Sequence, residues 1–164
     1  MSYTIGEYYI NGSNPQLENE LLVIWAKFCL KSCPLPIFGG RKTVSQKFSI
    51  AYKYFVDNFS DNLCFHTNEA FVVFGDGQKW LDEPVPELNG KRVSTLIMAA
   101  SLNSSLKQSW ERVRSIQECF FRLKNKGYDT VAWNINREHK RGAFLKMIER
   151  FGAKETECCQ YVEL

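Results

Sequence analysis

Apolar residues recur at intervals of three and four in two stretches near the start of the chain. The first stretch, residues 17–28, follows Asn14-Pro15 and precedes the two prolines of residues 32–36. This spacing predicts a helix that starts at the proline and ends before the later ones. The second stretch covers residues 44–59 and predicts another helix. Residues 1–62 are therefore expected to form a mainly helical N-terminal part.

The pattern changes to short apolar runs in the middle of the chain. Residues 70–74 are β-branched and aromatic and run into Gly75-Asp76-Gly77, which is typical of a strand that ends at a turn. Residues 80–90 contain two prolines and are expected to form a loop. Residues 93–100 are almost continuously apolar, which predicts a strand in the centre of a sheet.

Helix and strand patterns alternate after that strand. Residues 106–123 have the strongest helical periodicity, and Gly127 stands where a helix C-cap is expected. In residues 128–135 the apolar residues at 131, 133 and 135 occupy alternate positions, as they do in a strand. A helix with apolar residues at 144–151 and a final strand within residues 154–164 complete the pattern. A strand, a helix and a strand in such close succession predict parallel pairing and a right-handed crossover. The fold class is therefore α/β.

Length and composition are those of a globular protein. The chain has 164 residues, of which 45% are hydrophobic and 14% aromatic, so one domain over residues 1–164 is expected. No apolar run reaches the length of a membrane helix, and the N-terminus lacks the features of a secretory signal. We therefore expect a cytoplasmic protein without a membrane partner.

The six cysteines do not have the spacing of a metal site. No Cys-x-x-Cys pair occurs, and the chain has only two histidines, so no metal is expected. Thiols on apolar faces are more often small core residues. Cys64 and His66 would share one face of a strand, where a thiol and a base can form a nucleophilic pair. An ordinary structural pair is the favoured interpretation, because no orienting third group is indicated.

Positive charge is concentrated in the last third of the chain. Residues 104–126 hold six basic and two acidic side chains, and residues 137–150 hold five and two. Arg137, Lys140 and Arg141 stand where the last helix would begin, and positive charge is unfavourable there unless an anion is bound. The charge has two interpretations: solvated helix faces, or a surface that receives a phosphorylated ligand or nucleic acid.

The element order after residue 93 and the exit of the last helix carry a resemblance to a known family. Residues 147–153 read Met-Ile-Glu-Arg-Phe-Gly-Ala, which is similar to the aliphatic, tyrosine, acidic, basic, apolar and Gly-Phe run of the GNAT superfamily of N-acetyltransferases. The resemblance covers residues 93–164. It implies a mixed central sheet flanked by helices in a single domain, with residues 64–74 as an edge hairpin and residues 93–164 as the cofactor-binding half.

The resemblance also implies a cofactor and its site. In this family the arm of acetyl-CoA enters a gap where two parallel strands separate, and the following turn and helix N-terminus receive the pyrophosphate. The first of these strands would be residues 96–100 here. The cofactor-binding residues implied in this chain are Met98, Ala99, Ala100, Asn103, Ser104, Ser105, Lys107 and Asn136.

The chain departs from the family pattern at two functional positions. No glycine lies between Gly90 and Gly127, whereas the family's phosphate loop is rich in glycine. The family's proton-donating tyrosine aligns with Ile148, which has no proton to give. No catalytic residue is assigned. Glu69 and Glu87 are candidate general bases, although water or the amine itself suffices in some family members.

Two functions from different classes follow from these observations. The first is acetyl transfer from acetyl-CoA to a primary amine of a small molecule or a protein. The second is a GNAT-fold protein without catalysis that acts through an assembly partner, such as a phage virion-associated protein, which would place it in the virion. A different α/β binding module is a third alternative. The sequence leaves open whether the basic C-terminal half meets a nucleotide cofactor or nucleic acid.

Overall fold

The computed structural model describes residues 5–32, 43–102, 106–135, 150–156 and 158–164. Three helices and seven strands follow one another along this part of the chain. In chain order they are β1 (Gly6–Tyr9), α1 (Pro15–Ser32), α2 (Val44–Phe59), β2 (Leu63–His66), β3 (Ala70–Asp76), β4 (Val93–Ser101), α3 (Leu106–Asn125), β5 (Thr130–Asn134), β6 (Lys154–Glu155) and β7 (Cys159–Glu163). A short 3-10 helix, Pro86–Leu88, lies between β3 and β4.

The strands form one mixed sheet in the order β1-β2-β3-β4-β5-β7-β6. β4 is the central strand, and it pairs with β5 in parallel. β1 pairs with β2, β5 with β7, and β6 with β7, all antiparallel. The predicted α/β class, the central position of β4 and the parallel pairing across α3 are confirmed.

Predictions about the two ends of the sheet were wrong. The hairpin of β2 and β3 is not at the edge, because β1 pairs with β2 along all four of its residues. The N-terminal part therefore contains a strand as well as helices. Its sequence, Gly-Glu-Tyr-Tyr, gives a weak strand signal, since glycine disfavours strands and the run is short.

The final strand is two strands rather than one. β6 turns back onto β7, with Lys154 opposite Tyr161. Thr156 makes this turn possible: its hydroxyl accepts a hydrogen bond from the Cys159 amide at 3.1 Å and donates one to the Cys159 carbonyl, also at 3.1 Å. Local side-chain bonds of this kind offer the backbone an alternative to the strand ladder, although threonine itself is common in strands.

The helix boundaries follow the predicted signals. The side chain of Asn14 accepts a hydrogen bond from the Leu17 amide at 3.1 Å and so caps α1. α2 starts with a capping box between Thr43 and Gln46. α3 ends two residues before Gly127, whose φ of +94° is a conformation that favours glycine. The helix predicted at residues 144–151 lies largely outside the described residues, as do Arg137, Lys140 and Arg141.

The chain divides into two compact units, which we describe separately. The first contains the residues up to Val73 and the stretch that begins at Ala99. Its core is aromatic: the Trp25 ring stacks on Tyr54 at 5.5 Å and meets Phe59 edge-on at 6.3 Å. Phe55 is buried and joins Phe59 to the β3 ring of Phe71.

The second unit contains residues 74–98 and those from 105 onward. The buried side of α3 contributes Ile116, Cys119 and Leu123 to its core. A further cluster joins the β3–β4 connection to the sheet; its buried members are Leu81, Val85, Leu88, Val93, Ala132, Cys159 and Tyr161. Cys64, Cys119 and Cys159 are buried among apolar residues, as predicted for core thiols.

No helix within the described ranges has both the length and the apolar character needed to cross a bilayer.

Candidate functional site

The parallel ladder between β4 and β5 is short. It joins Val93 to Thr130, Ser94 to Val131 and Thr95 to Ala132. Within the second unit both strands continue past this point, β4 with Leu96, Ile97 and Met98 and β5 with Trp133 and Asn134. Among the described residues of the two strands, the paired positions end at Thr95 and Ala132. The central pair of the sheet therefore opens part-way along its length.

β5 remains bound on its other side throughout. All five of its residues pair with β7, as far as Asn134 opposite Cys159, and the Ile135 amide then donates to the Cys158 carbonyl at 3.1 Å. The Trp133 indole adds a buried hydrogen bond to the Gln160 side chain at 3.0 Å. β5 therefore keeps β7 as its partner along its whole length, and the pairing that ends is the one with β4.

The strand β4 carries three of the predicted cofactor-binding residues beyond the end of this ladder. Met98 and Ala99 are half-buried and Ala100 is buried. Lys107 belongs to the first turn of α3, the helix that follows β4. The other predicted residues, Asn103, Ser104, Ser105 and Asn136, lie outside the described residues. The structure thus places part of the predicted set on the strand that separates from β5.

The backbone of β4 is suited to bind an extended chain. A strand edge without a neighbour presents amide N–H and carbonyl groups in a regular row, which an extended ligand with its own amide groups can pair with. Ala99 and Ala100 have the smallest side chains that a strand residue other than glycine can have, so no large side chain of these two residues lies beside the backbone. Such an arrangement suits an amide-containing arm better than a compact ion.

The connection between β3 and β4 crosses the point where the ladder ends. The Thr95 hydroxyl donates to the Gly77 carbonyl at 2.7 Å. The Asn134 side chain accepts from the Asp82 amide at 2.8 Å and donates to the Trp80 carbonyl at 3.0 Å. We call residues 77–82 the strap. Both ends of the Asn134 amide group are therefore engaged in holding the strap.

Trp80 is the large side chain of the strap. Gly75 lies beneath it, since a Cβ at Gly75 would overlap the indole ring and lie 2.8 Å from Ile97 Cδ1. Lys79 Nζ stands 5.4 Å from the centre of the ring, a cation–π contact. The sequence predicts a loop over residues 80–90 but not the position of that loop against the end of the ladder. The available signals were the glycines at 75 and 77 and the asparagine at the end of β5.

A groove of about 780 Å³ lies in the first unit, between α1 and the turn from β2 to β3. Its polar lining includes Glu20 of α1 and His66 of β2. Burial lowers the pKa of His66 below its usual value, and the nearby Glu20 carboxylate opposes that change. The His66 ring also lies over Gly6 in β1, because a Cβ there would overlap it. Cys64 is fully buried, with its thiol directed at the Phe65 carbonyl, which favours the structural interpretation of the Cys64 and His66 pair.

The lowered pKa of His66 predicts a loss of stability in mild acid. The unfolded chain takes up a proton near pH 6.5 and the folded chain only at lower pH, so the contribution is fully present above pH 6.5 and is lost as the pH falls below it. Urea unfolding at pH 7.5 and 5.5 should show a smaller decrease for His66→Gln than for the wild type. His139→Gln, which changes the second histidine of the chain, is the control. Equal decreases in the wild type and His66→Gln would contradict the prediction.

The candidate general bases occupy different places. The Glu69 carbonyl accepts from the Leu102 amide at 2.9 Å, so its backbone lies beside the end of β4. Glu87 lies in a second groove of about 710 Å³ with Glu83 and Glu155. Neither carboxylate belongs to β4 or β5. Across the described ranges, no three side chains of the metal-ligating types form a group that could hold an ion.

Sequence comparisons give no match: neither a protein-family model nor a curated protein matches the chain. Comparison with solved structures does give matches. A protein from Pyrococcus horikoshii OT3 superimposes with a TM-score of 0.62 at 15% identity, covering 98% of this chain and 99% of that one. The chain has the fold of the GNAT N-acetyltransferases.

Two other solved structures show the range of proteins with the GNAT fold. The aminoglycoside 6'-acetyltransferase type Ii has a TM-score of 0.57 at 10% identity, covering 98% of this chain and 96% of that chain. A chain of the NatC complex, bound to Gag peptide and CoA, has a TM-score of 0.56 at 10% identity and covers 98% of both chains. At such identities the likeness concerns the fold alone.

Proposed function

We propose that this chain is an acetyl-CoA-dependent N-acetyltransferase that acts on a primary amine. The observation that carries the proposal is the separation of β4 from β5 after Thr95 and Ala132. It occurs in a fold shared with acetyltransferases, of which the NatC complex is bound to CoA and a peptide. The aminoglycoside enzyme acts, by its name, on an amine-bearing small molecule.

The residues present fit the pantetheine arm of the cofactor. The arm is a narrow chain with two amide groups, and the β4 backbone at Met98, Ala99 and Ala100 offers donors and acceptors beside small side chains. We assign the pyrophosphate to the turn at Asn103, Ser104 and Ser105, to Lys107 and to Asn136. When bound, the cofactor would supply an acetyl group as a thioester, whose C–S bond breaks as the C–N bond to the amine forms; the sulfur takes a proton from water and leaves as the CoA thiol.

The chain's own contribution to the chemistry is mainly electrostatic. Amide N–H groups of β4 stabilise negative charge that develops on a carbonyl oxygen held against this edge. Residues 93–101 and 130–134 contain no Asp, Glu or His, so neither strand provides a general base. We therefore propose that the acceptor amine loses its proton to water and that positioning, rather than proton transfer by a side chain, provides most of the rate.

The second candidate function is a GNAT-fold protein without catalysis that binds an assembly partner. The observation in its favour is the absence of glycine between Gly90 and Gly127, together with Ile148 at the tyrosine position. Such a protein has no need of an open strand edge for acetyl-CoA. Cofactor binding therefore discriminates between the two functions.

Isothermal titration with acetyl-CoA tests the proposal. The wild type should bind, and Ala99→Trp should weaken binding at least about tenfold, because an indole on β4 blocks the strand edge. Phe121→Trp is the control, since Phe121 is 60% exposed on α3 and tolerates a larger ring. Circular dichroism shows whether each variant is folded, and Ala99→Ser tests the same position without bulk.

The outcomes separate the two functions. Binding by the wild type, Phe121→Trp and Ala99→Ser but not by Ala99→Trp supports the acetyltransferase. Absence of binding by the wild type at millimolar acetyl-CoA overturns it and favours the interaction protein. Equal affinity of a folded Ala99→Trp would show that the cofactor does not lie on β4.

A further inference from the structure

The strap is fixed to both strands that separate, and this gives it a defined place at the opening. On the β4 side its anchor is Thr95, the last paired residue of that strand. On the β5 side its anchor is Asn134, the last residue of that strand, through two hydrogen bonds of 2.8 and 3.0 Å. The strap therefore extends across one face of the sheet just where the ladder between β4 and β5 ends.

Trp80 lies at the start of the opening on this face. Ile97 is two residues beyond Thr95, so it is the first residue after the ladder on the same face of β4. Both the Trp80 indole and Ile97 Cδ1 converge on the position that a side chain at Gly75 would take. The absence of a side chain at Gly75 is what allows the Nε1 and Cδ1 edge of the indole to lie against the sheet at this point.

The indole is held by its neighbours rather than by a hydrogen bond. Its Nε1 is buried and has no hydrogen-bond acceptor among the described residues. Lys79 Nζ stands over the ring, and the next residue, Leu81, is buried in the cluster with Val85 and Leu88. Because the carbonyl of Trp80 and the amide of Asp82 are both bound to Asn134, the ring has little freedom to move out of its place.

We infer that Trp80 is a specificity-determining residue that restricts the acyl group to a short one. The inference rests on the proposed function, because it requires an acyl thioester beside β4. A chain that extends from that thioester on the strap side meets the nine-atom ring system of Trp80. Since the ring is fixed and half-buried, a longer acyl chain can enter only by displacing it. Acetyl groups fit without doing so.

Titration of Trp80→Ala with CoA, acetyl-CoA and hexanoyl-CoA tests the inference without knowledge of the acceptor. The wild type should bind acetyl-CoA more tightly than hexanoyl-CoA. In Trp80→Ala the ratio of hexanoyl-CoA to acetyl-CoA affinity should rise at least about tenfold, in the range that a few methylene groups in an apolar pocket provide. Affinity for free CoA should change less than about threefold, since the arm itself binds β4.

Two further variants keep the test sharp. Lys79→Ala removes the cation from the ring but leaves the indole in place. The ratio of hexanoyl-CoA to acetyl-CoA affinity in this variant should therefore stay close to that of the wild type. Trp80→Phe keeps an aromatic ring of smaller size and should give an intermediate ratio, even if Trp80→Ala does not fold. An unchanged ratio in a folded Trp80 variant that binds CoA overturns the inference. Failure of the wild type to bind any of the three ligands overturns the proposed function and the inference with it.

Discussion

Replacing Trp25 with alanine is expected to lower the free energy of unfolding by about 3–5 kcal/mol, the usual cost of removing a large aromatic side chain from a core. Trp25 has 0% exposure and is the centre of the aromatic core of the first unit. Its ring contacts Tyr54, Phe55 and Phe59 at 5.5, 6.3 and 6.3 Å. Three neighbouring rings anchored on one helix cannot all move to fill the cavity, so most of the lost contacts stay lost.

Urea unfolding measured by circular dichroism is the appropriate assay. Tyr54→Ala is the matched control, because Tyr54 stacks on the same ring but is 37% exposed. Tyr54→Ala should lower the free energy of unfolding by less than Trp25→Ala. The loss consists of the free energy of burying part of the Tyr54 side chain and about 0.5–1.5 kcal/mol for the aromatic pair. A loss below about 1 kcal/mol for Trp25→Ala would mean that this core is not packed as described.

The helices could be predicted from the sequence because their signals are local. Asn14 with Pro15, the Thr43 capping box and Gly127 each satisfy backbone groups within one turn of their own helix. The spacing of apolar residues then determines which side of each helix is buried. Such features depend on neighbours three or four residues away, which a sequence displays directly.

The edges of the sheet could not be predicted in the same way. β1 is held by pairing with β2, more than fifty residues later, and its four residues are too few to show a clear strand pattern. The turn at Thr156 depends on one hydroxyl group that bonds both backbone groups of Cys159. In both places a contact with another segment decides the structure, and the local sequence is ambiguous.

The candidate site was predictable only in its scaffold. The parallel strands around α3 follow from periodicity, and the opening between them follows from the resemblance to the GNAT superfamily. The position of the strap could not be predicted in this way, because its hydrogen bonds to Asn134 join residues 52 and 54 positions apart in the chain. The binding roles of Met98, Ala99 and Ala100 stay predictions, which the titrations above test.

Gly75→Ala should be the most disruptive single-atom change near the site. Gly75 is buried in β3, and an added Cβ would overlap the Trp80 indole and lie 2.8 Å from Ile97 Cδ1. Overpacking of this kind costs about 1–3 kcal/mol, because the ring must leave its place or the strands must shift. Urea unfolding measures the loss. We expect the ring to move, since a side chain yields more easily than two paired strands.

A double-mutant cycle with Trp80→Ala identifies which group moves to make room for the new methyl group. If the new methyl group mainly displaces the indole, Gly75→Ala costs little once Trp80 is alanine, and the two changes are coupled by about 0.5–3 kcal/mol. If the two losses of unfolding free energy are additive, the new methyl group overlaps Ile97 or the backbone rather than the indole. The same displacement moves the ring from the opening between β4 and β5. A folded Gly75→Ala should therefore gain affinity for hexanoyl-CoA relative to acetyl-CoA, although Trp80 itself is still present.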